Sequence, residues 1–359
     1  MDKPGNAVHF GAGALGRGLV IPRLFAAGWG VSLVDADAAL VSKLAEFRGY
    51  PLTIASHTAS DTMTVPVDGA YLPSDSKGLG AIAAASLITT AVRRENLGRV
   101  AATLVSAWKI NGMPEKVAVV ACENVEHVDV VVADAFAAAG LPPELNARLV
   151  IPRTVVDRIC AARWPETLEV VTESFNELAI GRDRPIAGID QVADIDAAFA
   201  RKRYLVNSFA DASAILGSAR GHATLSAAVS DPQVQRRLTP LLDALIDHLV
   251  AAFGFRRDDL DSYLATSRMR LANGAIPRRI DTVARDFWRK LSPTERFGEP
   301  LIALQARGAL GDDVVGVMAG IVRAAAGPST TSVAPAHADA VLTEAGMAFY
   351  ARLEAALRR

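Results

Sequence analysis

The stretch Ala7-Val8-His9-Phe10-Gly11-Ala12-Gly13-Ala14-Leu15-Gly16-Arg17-Gly18 decides the fold. Ala7–Phe10 is a short apolar run, the signal of a buried strand, and it ends at Gly11. Gly11, Gly13 and Gly16 then match G-x-G-x-x-G. Arg17–Ala27 has helical spacing, with Leu19, Val20, Leu24 and Phe25 apolar, and Gly28 stands where a helix C-terminal glycine belongs. Val31–Val34 is a second strand ending at Asp35. The glycine pattern alone is weak; a strand before it, a helix after it and an acid closing the next strand make it a dinucleotide-binding unit. The first glycine permits the tight turn, the second lets the backbone approach a pyrophosphate, and the third lets helix and strand pack closely. Asp35 lies 35 − 16 = 19 residues after Gly16, the spacing of an acid that accepts ribose hydroxyls. A carboxylate there repels a 2′-phosphate, so the predicted cofactor is NAD rather than NADP. Asp37 competes for the ribose role. Arg17 is expected near the phosphates, with a solvated helix position as the alternative.

Outward from this unit the alternation continues. Leu87–Val92 and Val117–Cys122 read as buried strands, Ala133–Ala139 as a helix closed by Gly140, and Arg148–Ile151 and Leu168–Thr172 as further strands. Strands alternating with helices imply a mostly parallel sheet covered on both faces. From Asp194 the apolar spacing becomes helical, with helices expected over 194–216, 232–253, 258–270, 280–291, 300–309, 314–326 and 337–357. The charged, Pro- and Gly-containing segment Gly181–Gly188 suits a boundary. The expected architecture is α/β: a Rossmann-type doubly wound parallel sheet over 1–190, then a mostly α-helical substrate domain over 191–359.

Composition narrows the function. The chain has 359 residues, 38 Lys+Arg against 39 Asp+Glu, and 51% hydrophobic residues. A balanced charge excludes a general nucleic-acid coat and a polybasic membrane-surface protein. The apolar runs are too short to span a bilayer at about 20 residues per helix. Two cysteines, Cys122 and Cys160, exclude a disulfide framework and a Cys-rich zinc site. The start, from Met1, shows no signal-peptide apolar region. These features predict a cytoplasmic protein with a small-molecule substrate, no nucleic-acid or membrane partner, and no metal.

A nicotinamide enzyme without metal needs a proton acceptor and a group that polarises the carbonyl. No Tyr has a Lys four residues on, which leaves lysine or histidine. Two stretches stand out: Ala121-Cys122-Glu123-Asn124, polar residues just past an apolar strand, where open α/β sheets bind ligands, and Arg201-Lys202-Arg203-Tyr204-Leu205-Val206-Asn207, a Lys five positions before an Asn in a helical run.

With these residues the chain resembles the polyol-specific long-chain dehydrogenase (mannitol dehydrogenase) family, and within it the mannitol-1-phosphate 5-dehydrogenase branch. The carriers are His9–Gly18, Ala121–Asn124, Val156-Asp157-Arg158-Ile159, Val171–Phe175, Gly221-His222-Ala223-Thr224, and Arg289-Lys290-Leu291 followed by Glu295-Arg296. The family's Lys-x4-Asn-x2-His is matched by Lys202 and Asn207, but Ala210 stands at the histidine. A family arginine eight residues before Lys290 is Thr282 here.

The resemblance implies that Lys202 is the general acid/base, with Asn124 and Asn207 donating hydrogen bonds to the reacting oxygen, a role worth roughly 3–4 kcal/mol for one donor. It offers Asp157 for substrate hydroxyls, with an ion pair to an arginine as the structural alternative, and Lys290 for substrate hydroxyls or phosphate. His222 faces the site or caps a helix. Arg278 and Arg279 are candidate replacement cations near Thr282, within a stretch that equally suits a solvated helix face. The implied activity is NAD-dependent interconversion of a secondary alcohol and a ketone on a polyol, sugar phosphate or related sugar derivative, by a monomer or weak dimer. An opine-type reductase of a sugar–amino acid adduct and a non-catalytic NAD-binding protein are the alternatives.

Overall fold

A computed structural model describes residues 4–182 and 185–359. The segment proposed as a boundary therefore includes two residues, and the N-terminus three, that lie outside the described residues. The first elements are β1 (Asn6–Phe10), α1 (Ile21–Ala26), β2 (Gly30–Val34), α2 (Ala38–Phe47), β3 (Gly49–Ala55), β4 (Ser60–Pro66), β5 (Gly69–Tyr71), α3 (Ser76–Ala83) and β6 (Leu87–Thr90). Then come α4 (Leu97–Asn111), β7 (Val117–Ala121), α5 (Val128–Ala138), β8 (Leu149–Val150), β9 (Thr154–Asp157), β10 (Cys160–Ala162), β11 (Val170–Thr172), β12 (Glu177–Gly181) and β13 (Asp190–Val192).

Six strands form one sheet in the order β5-β2-β1-β6-β7-β8, every neighbouring pair parallel. Strand order reverses direction at β1, which makes the crevice beyond the ends of β1 and β6 a ligand position. Successive strand residues feed opposite cores. Ala7, Leu33, Leu87 and Val120 pack with Leu24, Leu40 and Leu44 of α1 and α2. Val8, Phe10, Ile88 and Val119 pack with Leu104, Trp108, Val132 and Phe136 of α4 and α5. Both faces are thus covered by helices, as the unbroken apolar strands require.

Two smaller sheets, β10-β11-β3-β4 and β13-β12-β9, are additions of which the sequence reading anticipates one strand, β11, within its expected Leu168–Thr172. The β3–β4 hairpin is hidden by Pro51, a residue that argues against a central strand; Pro51 pairs with Thr64 of β4, while β11 pairs with β3 only from Leu52 on. The contacts divide the chain after Phe199. The division lies beyond residue 190 because β13 pairs with β12, and Ile195 and Ala198 pack on Val155.

Helix α6 (Ile195–Lys202) crosses the division, and the second unit is helical: α7 (Phe209–Ser218), α8 (Leu225–Ser230), α9 (Pro232–Phe253), α10 (Arg257–Leu271), α11 (Ile280–Ala284), α12 (Phe287–Lys290), α13 (Gly298–Ala306), α14 (Asp312–Ala326) and α15 (Glu344–Leu357). Its centre is α7, buried from Phe209 through Gly217 and packed against α8, α9, α11 and α14. Two expected helices differ. The one over 280–291 breaks into α11 and α12 at Arg285 and Asp286, where Asp286 takes a left-handed φ of 57°. The one over 337–357 starts only at Glu344, where the Thr343 hydroxyl caps the Gly346 N–H. No helix of the described residues is long and apolar enough to cross a membrane.

Candidate active site

The glycine turn separates its three glycines by what surrounds them. Gly11 has φ 98°, and a Cβ there would lie 2.5 Å from the Ala91 carbonyl oxygen. A Cβ on Gly16 would lie 2.3 Å from both the Gly11 oxygen and His9 Nε2, so this glycine exists for close packing. Gly13 has nothing within 4 Å of its missing Cβ. It faces a cleft of about 590 Å³ lined by Gly11, Asp35, Ala36, Pro73, Val92, Arg93, Asn96 and Arg99 among others. An open backbone edge facing a cleft that also holds Asp35 fits a dinucleotide.

His9 sits fully buried beneath the turn. A carbonyl only accepts, so Nε2–H donates to the Gly11 oxygen at 3.0 Å and Nδ1 accepts from the Thr89 hydroxyl at 2.7 Å. Burial pushes its pKa down to about 4, keeping the ring neutral. Asp35 accepts from the Ala12 N–H at 2.6 Å and from the Asp37 N–H at 2.8 Å, which ties the end of β2 to the turn. Asp37 is otherwise engaged: it caps α2 through Ala39 and Leu40 and accepts from the Trp164 indole at 2.8 Å. The Leu40 backbone bond leads the effects that hold its carboxyl below the usual carboxylate range.

Arg17 is neither solvated nor on the open side of the turn. It is fully buried, donates through Nε to the Ala12 oxygen at 2.6 Å and through Nη1 to the Leu168 oxygen, and lies over the Tyr50 ring at 5.6 Å. Its first helical turns, Gly16–Val20, are a π-helix, and the guanidinium braces the turn from within. The geometry gives Arg17 a supporting part beneath the turn.

At the end of β7, Glu123 is buried, accepting from the Thr90 hydroxyl at 2.7 Å and the Val92 N–H at 2.9 Å. It links the ends of β6 and β7, and burial raises its pKa. Asn124 follows it, exposed, in the position where the sheet's ligands bind. Asp157 ends β9 and is buried.

In the helical unit, Lys202 closes α6 at 7% exposure, and Arg203–Ser208 form a π-helix before α7. On an α-helix, at about 100° per residue, Lys202 and Asn207 would point about 140° apart. A π turn closes from i to i+5, which brings residues five apart onto one face. The half-buried Asn207 side chain thus shares a face with Lys202. Ala210 is buried one turn further on.

The remaining candidates are engaged elsewhere. Lys290 is buried and donates to Asp211 at 3.0 Å and to the Val283 oxygen at 2.7 Å. Asp211 also accepts from Arg296 at 3.0 Å. Burial pushes the Asp211 carboxyl up and the Lys290 ammonium down, and their ion pair opposes both shifts. Lys290 is thus an internal strut of this unit. His222 bonds Asp231 at 2.9 Å, and it is Asp231 that caps α9 through the Gln233 N–H, so His222 braces the cap residue rather than capping the helix itself. Arg279 is exposed and pairs with Asp281, and Thr282 donates its hydroxyl back to the Arg279 oxygen. Arg278, half-buried, acts electrostatically on Asp211.

Sequence reasoning gives no part of their own to His9 and Asp211, each a polar residue inside an apolar run, which is the signal that could have found them, and none to Glu123 within the stretch past β7 that it singles out.

Residues 5–188 match the family description "Mannitol dehydrogenase Rossmann domain" and residues 194–353 match "Mannitol dehydrogenase C-terminal domain". The chain is 31% identical over 334 residues to mannitol-1-phosphate 5-dehydrogenase of Arthrobacter sp. (strain FB24), covering 89% of this chain and 86% of the relative. It is 29% identical over 329 residues to the protein of that name from Enterococcus faecalis (strain ATCC 700802 / V583), covering 88% and 85%. Among solved structures, a substrate-free D-sorbitol dehydrogenase matches with TM-score 0.75 at 19% identity, covering 90% of this chain and 80% of that one. Pseudomonas fluorescens mannitol 2-dehydrogenase, a ternary complex with NAD and D-mannitol, matches with TM-score 0.72 at 17% identity, covering 90% and 79%. These two likenesses speak for the fold. With both of its domains matched, the chain belongs to the mannitol dehydrogenase family.

Proposed function

We propose that this chain is an NAD-dependent polyol dehydrogenase that interconverts a secondary alcohol and a ketone on a polyol, a sugar phosphate or a related sugar derivative. The observation that carries the reading is the pair Lys202 and Asn207, set on one face by the π turn in a member of this family. Gly13 and Asp35 are the residues that would hold the dinucleotide. When bound, the dinucleotide would supply the hydride acceptor for the alcohol carbon, and the donor in the reverse direction. Lys202 in its neutral form takes the hydroxyl proton at Nζ; in the reverse direction its ammonium returns that proton to the forming alkoxide. Asn124 and Asn207 donate side-chain N–H groups to the same oxygen and stabilise its charge. Asp157 orients substrate hydroxyls. The carboxylate of Asp35 selects NAD over NADP by repelling a 2′-phosphate.

Lys202 is buried, which shelters the proton it exchanges from bulk water. With only two cysteines, the polarising role of a metal passes to Lys202 and the asparagines. Ala210 and Thr282 leave small side chains where the family carries substrate contacts, so the substrate differs from, or exceeds in bulk, mannitol 1-phosphate. The protein works in the cytoplasm as a monomer or weak dimer.

The test is NADH oxidation by the purified chain against ketoses, ketose phosphates and fructosyl–amino acid adducts. Turnover of a ketose or its phosphate supports the reading. Turnover of the adducts alone moves the assignment to an opine-type reductase, and NADH binding with no turnover moves it to a binding protein.

A further inference from the structure

The loop after β6 carries a residue that backbone energetics alone would not choose. Arg93 has φ 71° and ψ 153°, a conformation that L side chains rarely adopt and that favours glycine. Such strain persists where the side chain has work to do. Arg93 is exposed, and its ion pair with Glu95 is long, at 3.9 Å, and solvated, so that pair does not explain the residue. Its place does. The preceding Ala91 and Val92 cross directly over Gly11, where the missing Cβ would lie 2.5 Å from one and 3.0 Å from the other. Arg93 follows them into the wall of the cleft that Gly13 faces, and Arg99, also exposed, lines the same wall. The acid of this cleft, Asp35, already accepts two backbone N–H groups. Two arginines beside an open glycine edge form a cationic site for a bridging diphosphate.

We propose that Arg93, seconded by Arg99, binds the pyrophosphate of the dinucleotide, and that the strained backbone at Arg93 is kept to aim the guanidinium there. The proposal rests on the NAD reading above. An Arg fork matches phosphate oxygens in a bidentate way that a backbone amide does not.

The test is Arg93→Gly, which removes the cation and relieves the backbone at once. The variant is expected to melt above the wild type while its Kd for NADH, read by fluorescence titration, rises about tenfold. The rise shrinks at high salt, since an exposed charge contact is screened. ADP weakens in parallel with NADH, whereas adenosine, which has no phosphate, binds as before. Arg99→Ala weakens NADH in the same sense, and Arg94→Ala, a neighbour outside the cleft wall, leaves it unchanged. An Arg93→Gly chain that binds NADH as tightly as the wild type, or that loses adenosine as much as ADP, overturns the assignment. A wild-type chain that binds neither NADH nor ADP overturns the function proposed above and the role of Arg93 with it.

Discussion

Substituting alanine at Gly13 and at Gly16 separates the binding surface of the glycine turn from its packing. Gly13 has no atom within 4 Å of a Cβ and no positive φ, so Gly13→Ala meets no part of the protein. By narrowing the unfolded ensemble, the change stabilises the fold by about 0.4–1 kcal/mol. The methyl enters the cleft where the dinucleotide backbone approaches. Overpacking of one methyl costs about 1–3 kcal/mol, which lowers NADH affinity by roughly five- to two-hundredfold. Gly16→Ala does the opposite. Its Cβ falls 2.3 Å from the Gly11 oxygen and from His9 Nε2, which is 3.4 − 2.3 = 1.1 Å inside ordinary contact. Neither neighbour yields cheaply, because one is backbone and the other is a ring bonded to Gly11 and Thr89. The variant should lose about 3 kcal/mol or more of stability. Urea unfolding without ligand, paired with NADH titration, reads both effects. Gly13→Ala with wild-type NADH affinity, or Gly16→Ala with wild-type stability, refutes the division of labour.

Lys202→Ala should lower turnover at least about a hundredfold while NADH affinity stays near normal, as single-turnover kinetics and titration would show. Asp35→Ala should weaken NADH more than NADPH in parallel titrations; an enzyme that prefers NADPH from the start contradicts the role of Asp35. His9 should make stability depend on acid. Its folded pKa of about 4 lies below the ordinary 6.5, so protons bind the unfolded chain first, and on the order of 3 kcal/mol is lost as pH falls from 6.5 through 4. A His9→Gln variant whose unfolding free energy falls as steeply over that window would deny His9 that share. Lys290→Met should destabilise by about 3–5 kcal/mol in thermal or urea unfolding, because Asp211 stays buried with half of its counter-charge gone; Asp211→Asn made with it should recover part of that loss.

What the sequence made legible follows from how local each signal is. The βαβ unit around Gly11, Gly13 and Gly16 was readable because strand, turn and helix each carry their own period within a few residues, and helix α9 because Asp231 and Gly254 mark its ends. The β3–β4 hairpin was not, since its partner β11 lies far along the chain and Pro51 masks the pattern. The same distinction sorts the site. Gly13 and Asp35 follow from a local motif, whereas the burial of Arg17 depends on Leu168, and the engagement of Lys290 on Asp211, both distant in sequence. A cation in a sequence carries no mark of whether it will meet a ligand or a buried acid. In the structure Lys290, His222 and Arg279 each have a carboxylate partner, a buried one for Lys290.

The same helical device appears beside both halves of the proposed chemistry. Gly16–Val20 and Arg203–Ser208 are π-helical stretches within otherwise α-helical runs. A π turn takes in one residue more than an α turn, so it shifts every later side chain around the axis without ending the helix. At Gly16–Val20 the widened turn accompanies the inward guanidinium of Arg17 and leaves Gly13 open to the cleft. At Arg203–Ser208 it turns a five-residue spacing, which an α-helix would split between two faces, into a shared face for Lys202 and Asn207. Its cost is offset locally: the Ser208 hydroxyl shares its one proton between the Arg203 oxygen at 3.2 Å and the Arg296 oxygen at 3.1 Å, and Arg203 is held by Glu299 at 3.1 Å. The Lys-x4-Asn spacing therefore makes physical sense only with the widened turn. A deletion of one residue between Arg203 and Asn207 would restore an α-helical period while moving Asn207 to a spacing of four, on the same α-helical face as Lys202. If the shared face is what matters, that deletion retains more activity than an insertion, which sets the two six apart, about 120° from each other around an α-helix.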